Sequence, residues 1–123
     1  MHYVDQGEGT PVVFVHGVPG WSFHFRHLLL RLSAHQRCIA LDHLGFGLSD
    51  KPVDWDYPPE ILAGNVSGLM DELKLEDVVL VVHDWGGART ELRPGAARQR
   101  DGRGGLQFKV SDALGRAAPG GPR

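Results

Sequence analysis

Five consecutive apolar residues, Val78 to Val82, run directly into His83-Asp84-Trp85-Gly86-Gly87. An unbroken run of valine and leucine suits a strand covered on both faces, as in a parallel sheet. The glycine pair permits a very tight turn immediately after it. A carboxylate, Asp84, stands at the apex of that turn. Strand, sharp turn and reactive side chain together form a nucleophile elbow, which lifts one side chain above the carboxyl end of a strand. A carboxylate in that place predicts covalent chemistry through an aspartyl ester. The plainer alternative is an aspartate that merely closes a strand.

The residues before the elbow repeat the same kind of unit. His2 to Asp5 is a short strand candidate closed by the turn Gln6-Gly7-Glu8-Gly9. Val12 to Val15 is a second buried strand and ends at His16-Gly17-Val18-Pro19-Gly20. Phe25, Leu28, Leu29 and Leu32 recur at helical spacing, and Cys38 to Leu41 is a further buried strand. It feeds the glycine-rich loop Asp42-His43-Leu44-Gly45-Phe46-Gly47-Leu48-Ser49, which reads as a structural turn whose glycines allow close packing. Pro58 and Pro59 suit the opening of a helix that carries Ile61, Leu62, Val66, Leu69, Met70 and Leu73 on one side. Strand, helix, strand, helix, strand predicts an α/β fold with a parallel sheet. Reactive loops in such sheets lie at the carboxyl ends of the strands, where His16-Gly17-Val18 and His83-Asp84-Trp85 both fall.

Composition divides the 123 residues in two. Residues 1–88 hold five Lys/Arg against twelve Asp/Glu, and residues 89–123 hold eight against three. All seven histidines, all three tryptophans and both tyrosines precede residue 89. Residues 89–123 contain seven Arg, seven Gly and three Pro, and their largest apolar cluster is Leu106, Phe108 and Val110. Such a segment buries too little surface to offset its ordering entropy, so it is expected to be a disordered basic tail. It lacks interleaved aromatic residues and a regular basic face, which argues against nucleic-acid binding. No apolar stretch approaches the roughly 20 residues of a membrane span. The single Cys38 rules out an internal disulfide and is expected to be a buried core thiol. With no basic-then-apolar leader visible at the N-terminus, a cytoplasmic setting is expected.

Three motifs then occur in order: His16-Gly17-Val18-Pro19 with Trp21-Ser22-Phe23, Asp42-His43-Leu44-Gly45-Phe46-Gly47-Leu48-Ser49-Asp50-Lys51-Pro52, and Val82-His83-Asp84-Trp85-Gly86-Gly87. Together they resemble the α/β-hydrolase superfamily, and within it the haloalkane dehalogenase and epoxide hydrolase branch. The resemblance covers about residues 2–88, the N-terminal part of such a domain. It implies Asp84 as the nucleophile that attacks an sp³ carbon, displacing halide or opening an epoxide. It implies an oxyanion hole from the backbone N–H groups of Val18 and Trp85, and halide binding by the Trp85 indole. It implies small-molecule substrates, no cofactor and no metal.

Val82 favours the dehalogenase side, because epoxide hydrolases usually carry glycine there. Val18 points the other way, because many dehalogenases place a second halide donor, asparagine, at that position. Trp85 has packing as its alternative role, and His16 and His83 are expected to support the turns rather than to act as bases. A hydrolase of this kind also needs a histidine to activate water and an acid to orient it. Only 39 residues follow Asp84, and none is histidine. Arg89-Thr90-Glu91-Leu92-Arg93-Pro94 replaces the small, apolar helix start expected after the elbow. The abrupt change predicts a frameshifted or truncated chain that is inactive as it stands and has no covering strand next to Val78–Val82.

Overall fold

The computed structural model describes residues 1–86 and the short strand at 108–110. Five strands form one sheet in the order β1-β3-β2-β4-β5, with β1 at Tyr3–Gln6, β2 at Pro11–Val15, β3 at Arg37–Leu41, β4 at Val79–Val82 and β5 at Phe108–Val110. β2, β3, β4 and β5 run parallel, and β1 runs antiparallel to β3. The fold is therefore α/β, as the apolar runs predicted, with one antiparallel edge strand.

Register explains why the runs are unbroken. Side chains alternate across a strand, so a strand between two layers needs apolar residues at every position. In β2, Val13 and Val15 point to one layer and Val12 and Phe14 to the other. The first layer contains the helix α2, Pro59–Glu72, whose Val66, Leu69 and Met70 pack on Val13, Val15, Ile39, Leu41, Leu80 and Val82. The second contains α1, Arg26–Leu32, with Leu29 and the preceding Phe25 against Phe14, Cys38 and Ala40. Each fully buried side chain of this size contributes about 1.5–3 kcal/mol. Cys38 is buried and burial pushes its thiol pKa up.

The helix expected from Phe25 begins as a 3₁₀ turn at Ser22–Phe25 and becomes α-helical at Arg26. α2 starts where the two prolines demand it. Pro58 is extended at φ −64° and ψ 141°, because a residue before proline avoids helical geometry, and Pro59 opens the first turn.

β4 is not left with an open edge. Leu80, Val81 and Val82 align with Phe108, Lys109 and Val110 of β5. Pairing satisfies the backbone groups that an edge would present to water. The expectation of a missing neighbour for Val78–Val82 is corrected to that extent, and the segment thought to be a tail contributes this strand. The rest of 89–123 lies outside the described residues.

Candidate active site

The carboxyl ends of β2 and β4 lie side by side, since Val15 aligns with Val82. The two loops that leave them build one constellation. The His83 N–H donates to the Val15 carbonyl at 3.1 Å, which carries the pairing one step past β4. The chain then reverses. Asp84 takes φ +53°, a left-handed conformation uncommon outside glycine, and the Gly86 N–H closes the turn on the His83 carbonyl at 2.9 Å. Only glycine fits at Gly86, because a β-carbon there would stand 2.4 Å from the Val15 oxygen.

Val18 approaches from the β2 loop. Its N–H donates to Asp84 Oδ2 at 3.3 Å, joining residues 66 positions apart. The peptide between Val18 and Pro19 is cis. The Gly20 N–H returns to the Gly17 carbonyl at 2.8 Å, so the loop is a compact turn that aims the Val18 N–H toward β4. Val18 is 45% exposed and Trp85 is 56% exposed, so neither belongs to a core layer. The carboxylate thus lies at an accessible rim with the two residues assigned to it from sequence.

His16 sits beneath this rim, fully buried. The His43 N–H donates to its Nε2 at 3.0 Å, so Nε2 carries no proton. The proton therefore sits on Nδ1, which donates to the Gly17 carbonyl at 2.7 Å. Nδ1 braces its own loop and Nε2 ties that loop to the one after β3, in keeping with the supporting role expected of His16. Its ring meets His43 and Phe46 edge-on at centroid distances of 4.6 Å and 5.5 Å.

Sequence reasoning missed a second organising residue, Asp42. Its buried carboxylate accepts the Ser22 N–H on Oδ1 at 2.6 Å, and the Leu48 N–H and His2 Nδ1 on Oδ2 at 2.9 Å and 2.8 Å. Ser49 Oγ donates to the Asp42 carbonyl at 2.5 Å and accepts the His2 N–H at 2.7 Å. Burial by itself would raise the Asp42 pKa. The backbone donors of Leu48 and Ser22, with His2, outweigh it and hold the carboxyl below the usual range. The available signal was an aspartate at a strand end followed by a glycine-rich turn. Its partners lie as far as 40 residues away.

The α/β hydrolase fold family matches residues 10–89. The chain belongs to that family. It is 48% identical over 90 residues to the cis-3-alkyl-4-alkyloxetan-2-one decarboxylase of Shewanella oneidensis, covering 71% of this chain and 28% of that protein. It is 40% identical over 87 residues to haloalkane dehalogenase 2 of Mycobacterium tuberculosis, covering 71% and 30%. Among solved structures it is similar to the haloalkane dehalogenase DatA of Agrobacterium tumefaciens, with a TM-score of 0.70 at 38% identity over 80% of this chain and 35% of that one. An epoxide hydrolase from Bacillus megaterium superposes with a TM-score of 0.67 at 34% identity, over 72% and 31%. The chain spans about a third of the length of these relatives. Among the described residues no group of three His, Cys, Asp or Glu could hold a metal ion, and no helix is long and apolar enough to cross a membrane.

Proposed function

We propose that this chain carries the nucleophile half of a haloalkane dehalogenase-like hydrolase, with Asp84 as the attacking group. The observation that supports this most is the pairing of a left-handed turn at Asp84 with the Val18 N–H on its Oδ2. That donor fixes one carboxylate oxygen and restricts rotation of the group. A carboxylate oxygen of Asp84 forms a bond to the sp³ carbon, the carbon–halogen bond breaks, and halide leaves with the electron pair. The indole N–H of Trp85 is a donor only, suited to a departing anion. Release then requires water to attack the ester carbonyl, where the Val18 and Trp85 N–H groups stabilise the oxyanion.

That second step needs a base. His16 has both nitrogens engaged, and no histidine follows His83 in the 123 residues. This polypeptide is therefore proposed to be alkylated once and not to turn over. The test is mass spectrometry after incubation with a reactive bromoalkane, with halide measured in parallel. One adduct, mapped to Asp84 and absent in Asp84→Ala, supports both parts. Halide release in large excess over protein overturns the inactive part, and absence of any adduct overturns the nucleophile.

A second reading is favoured by the 48% identity to the oxetan-2-one decarboxylase. A β-lactone offers an sp³ carbon bonded to a ring oxygen. Attack by Asp84 on that carbon breaks the ring C–O bond and frees a carboxylate. Loss of CO₂ then supplies the electron pair for a C=C bond and expels the Asp84 carboxylate intact, with no water involved. Alkene formation from a cis-dialkyl β-lactone, lost in Asp84→Ala, distinguishes this reading from dehalogenation. Epoxide opening needs a hydroxyl that protonates the ring oxygen, and the Tyr57 hydroxyl is engaged with the Pro52 carbonyl at 2.6 Å.

A further inference from the structure

A groove of about 490 Å³ lies between β1, the Ser22–Phe25 turn with α1, and the 42–49 loop. No residue of the Asp84 rim lines it. Its volume is in the range of sites for small molecules. Val4, Leu29, Leu30 and Leu48 supply its apolar walls. Trp21 and Phe23, stacked at 5.3 Å between centroids, also line it. Phe23, Leu30 and Leu48 are 51%, 71% and 66% exposed, so a continuous apolar surface faces water here.

The formal charge that borders that surface is the cation of Arg26. Among the described residues no Asp or Glu lines the groove. Arg26 is held in place by the Phe23 carbonyl, 3.0 Å from Nη1, and by the Phe23 ring, whose centroid is 4.3 Å from the guanidinium carbon. Among the described residues it forms no ion pair with a carboxylate. Its remaining N–H groups form a planar fork that matches a carboxylate.

From this we infer that the groove is a second ligand site, for a medium-chain monocarboxylate. The alkyl chain lies on Leu30, Leu48 and Val4, and the carboxylate meets Arg26. The inference does not depend on the chemistry of Asp84.

Calorimetric titration of the full chain with decanoate, below its micellar range, and with decylamine tests it. Decanoate is expected to bind saturably at one site and at least tenfold more tightly than decylamine. Arg26→Gln should weaken decanoate at least tenfold, with part of the loss restored in Arg26→Lys. Leu48→Glu should abolish binding while circular dichroism stays that of the parent. Phenylglyoxal labelling gives an independent location: bound decanoate should protect Arg26 and leave Arg31 reactive. Equal affinity for decanoate and decylamine, an unaffected Arg26→Gln, or labelling of Arg26 that decanoate does not reduce would each overturn the proposal.

Discussion

Gly17 faces Asp84 so closely that a β-carbon on Gly17 would stand 2.5 Å from the Asp84 β-carbon and 2.7 Å from Oδ2. The loop after β2 and the turn after β4 are fitted to each other with no room for a methyl group. Gly17→Ala is expected to push the carboxylate away from the Val18 N–H. Overpacking of this kind costs about 1–3 kcal/mol. Urea denaturation should show that loss, and mass spectrometry should show no alkylation of Asp84.

Asp84 itself is held in a conformation that disfavours side chains. A non-glycine residue at left-handed φ costs on the order of 1 kcal/mol, and a β-branched one more. Asp84→Gly is therefore expected to raise stability by about 0.5–1 kcal/mol while removing the proposed nucleophile. Asp84→Val should lower it. Thermal melts of the three proteins, which should rank Gly above Asp above Val, check the order.

The Asp42 carboxyl gives the fold an acid limit. Its pKa in the folded chain lies below the unfolded value of about 3.9. Its contribution is therefore fully present above about pH 4 and is lost as pH falls through the lower folded pKa. Asp42→Asn is expected to lose about 1.5–3 kcal/mol at neutral pH, since its hydrogen bonds are charge-assisted. The variant should also show a flatter decline below pH 4. Denaturation midpoints measured between pH 2 and 7 report both effects.

His16→Phe removes the acceptor of the His43 N–H, while the Gly17 carbonyl keeps the Gly20 N–H. Loss of that buried hydrogen bond costs about 1–3 kcal/mol. The variant is expected to be destabilised by that amount although phenylalanine fills a comparable volume. His24→Ala, outside this hydrogen-bonded set, serves as the control and should change the denaturation midpoint little.

The strands were legible because being covered on two faces leaves a strong mark. Val12–Val15 and Cys38–Leu41 each proved one residue short at the start, and Val78 lies just outside β4. The elbow was legible because Asp84, Gly86 and the strand before them are contiguous. Asp42 was hidden because its donors at His2, Ser22 and Leu48 meet only after folding. β5 was hidden because Phe108-Lys109-Val110 is three residues long within arginine- and glycine-rich surroundings. Its pairing depends on the edge that β4 offers rather than on its own pattern. The 3₁₀ start before α1 was also invisible, since Phe25 fits a helical stripe in either geometry.

The contact between Val18 and Asp84 sets an order of events during synthesis. Strands β1, β2 and β3 can join once Leu41 has left the ribosome, but the partner of the Val18 N–H is made 66 residues after Val18 itself. Asp84 acquires its geometry only when β4 slots in beside β2. An electrophile that labels Asp84 therefore acts as a clock for the nascent chain: the label becomes possible at the moment the sheet gains its fourth strand.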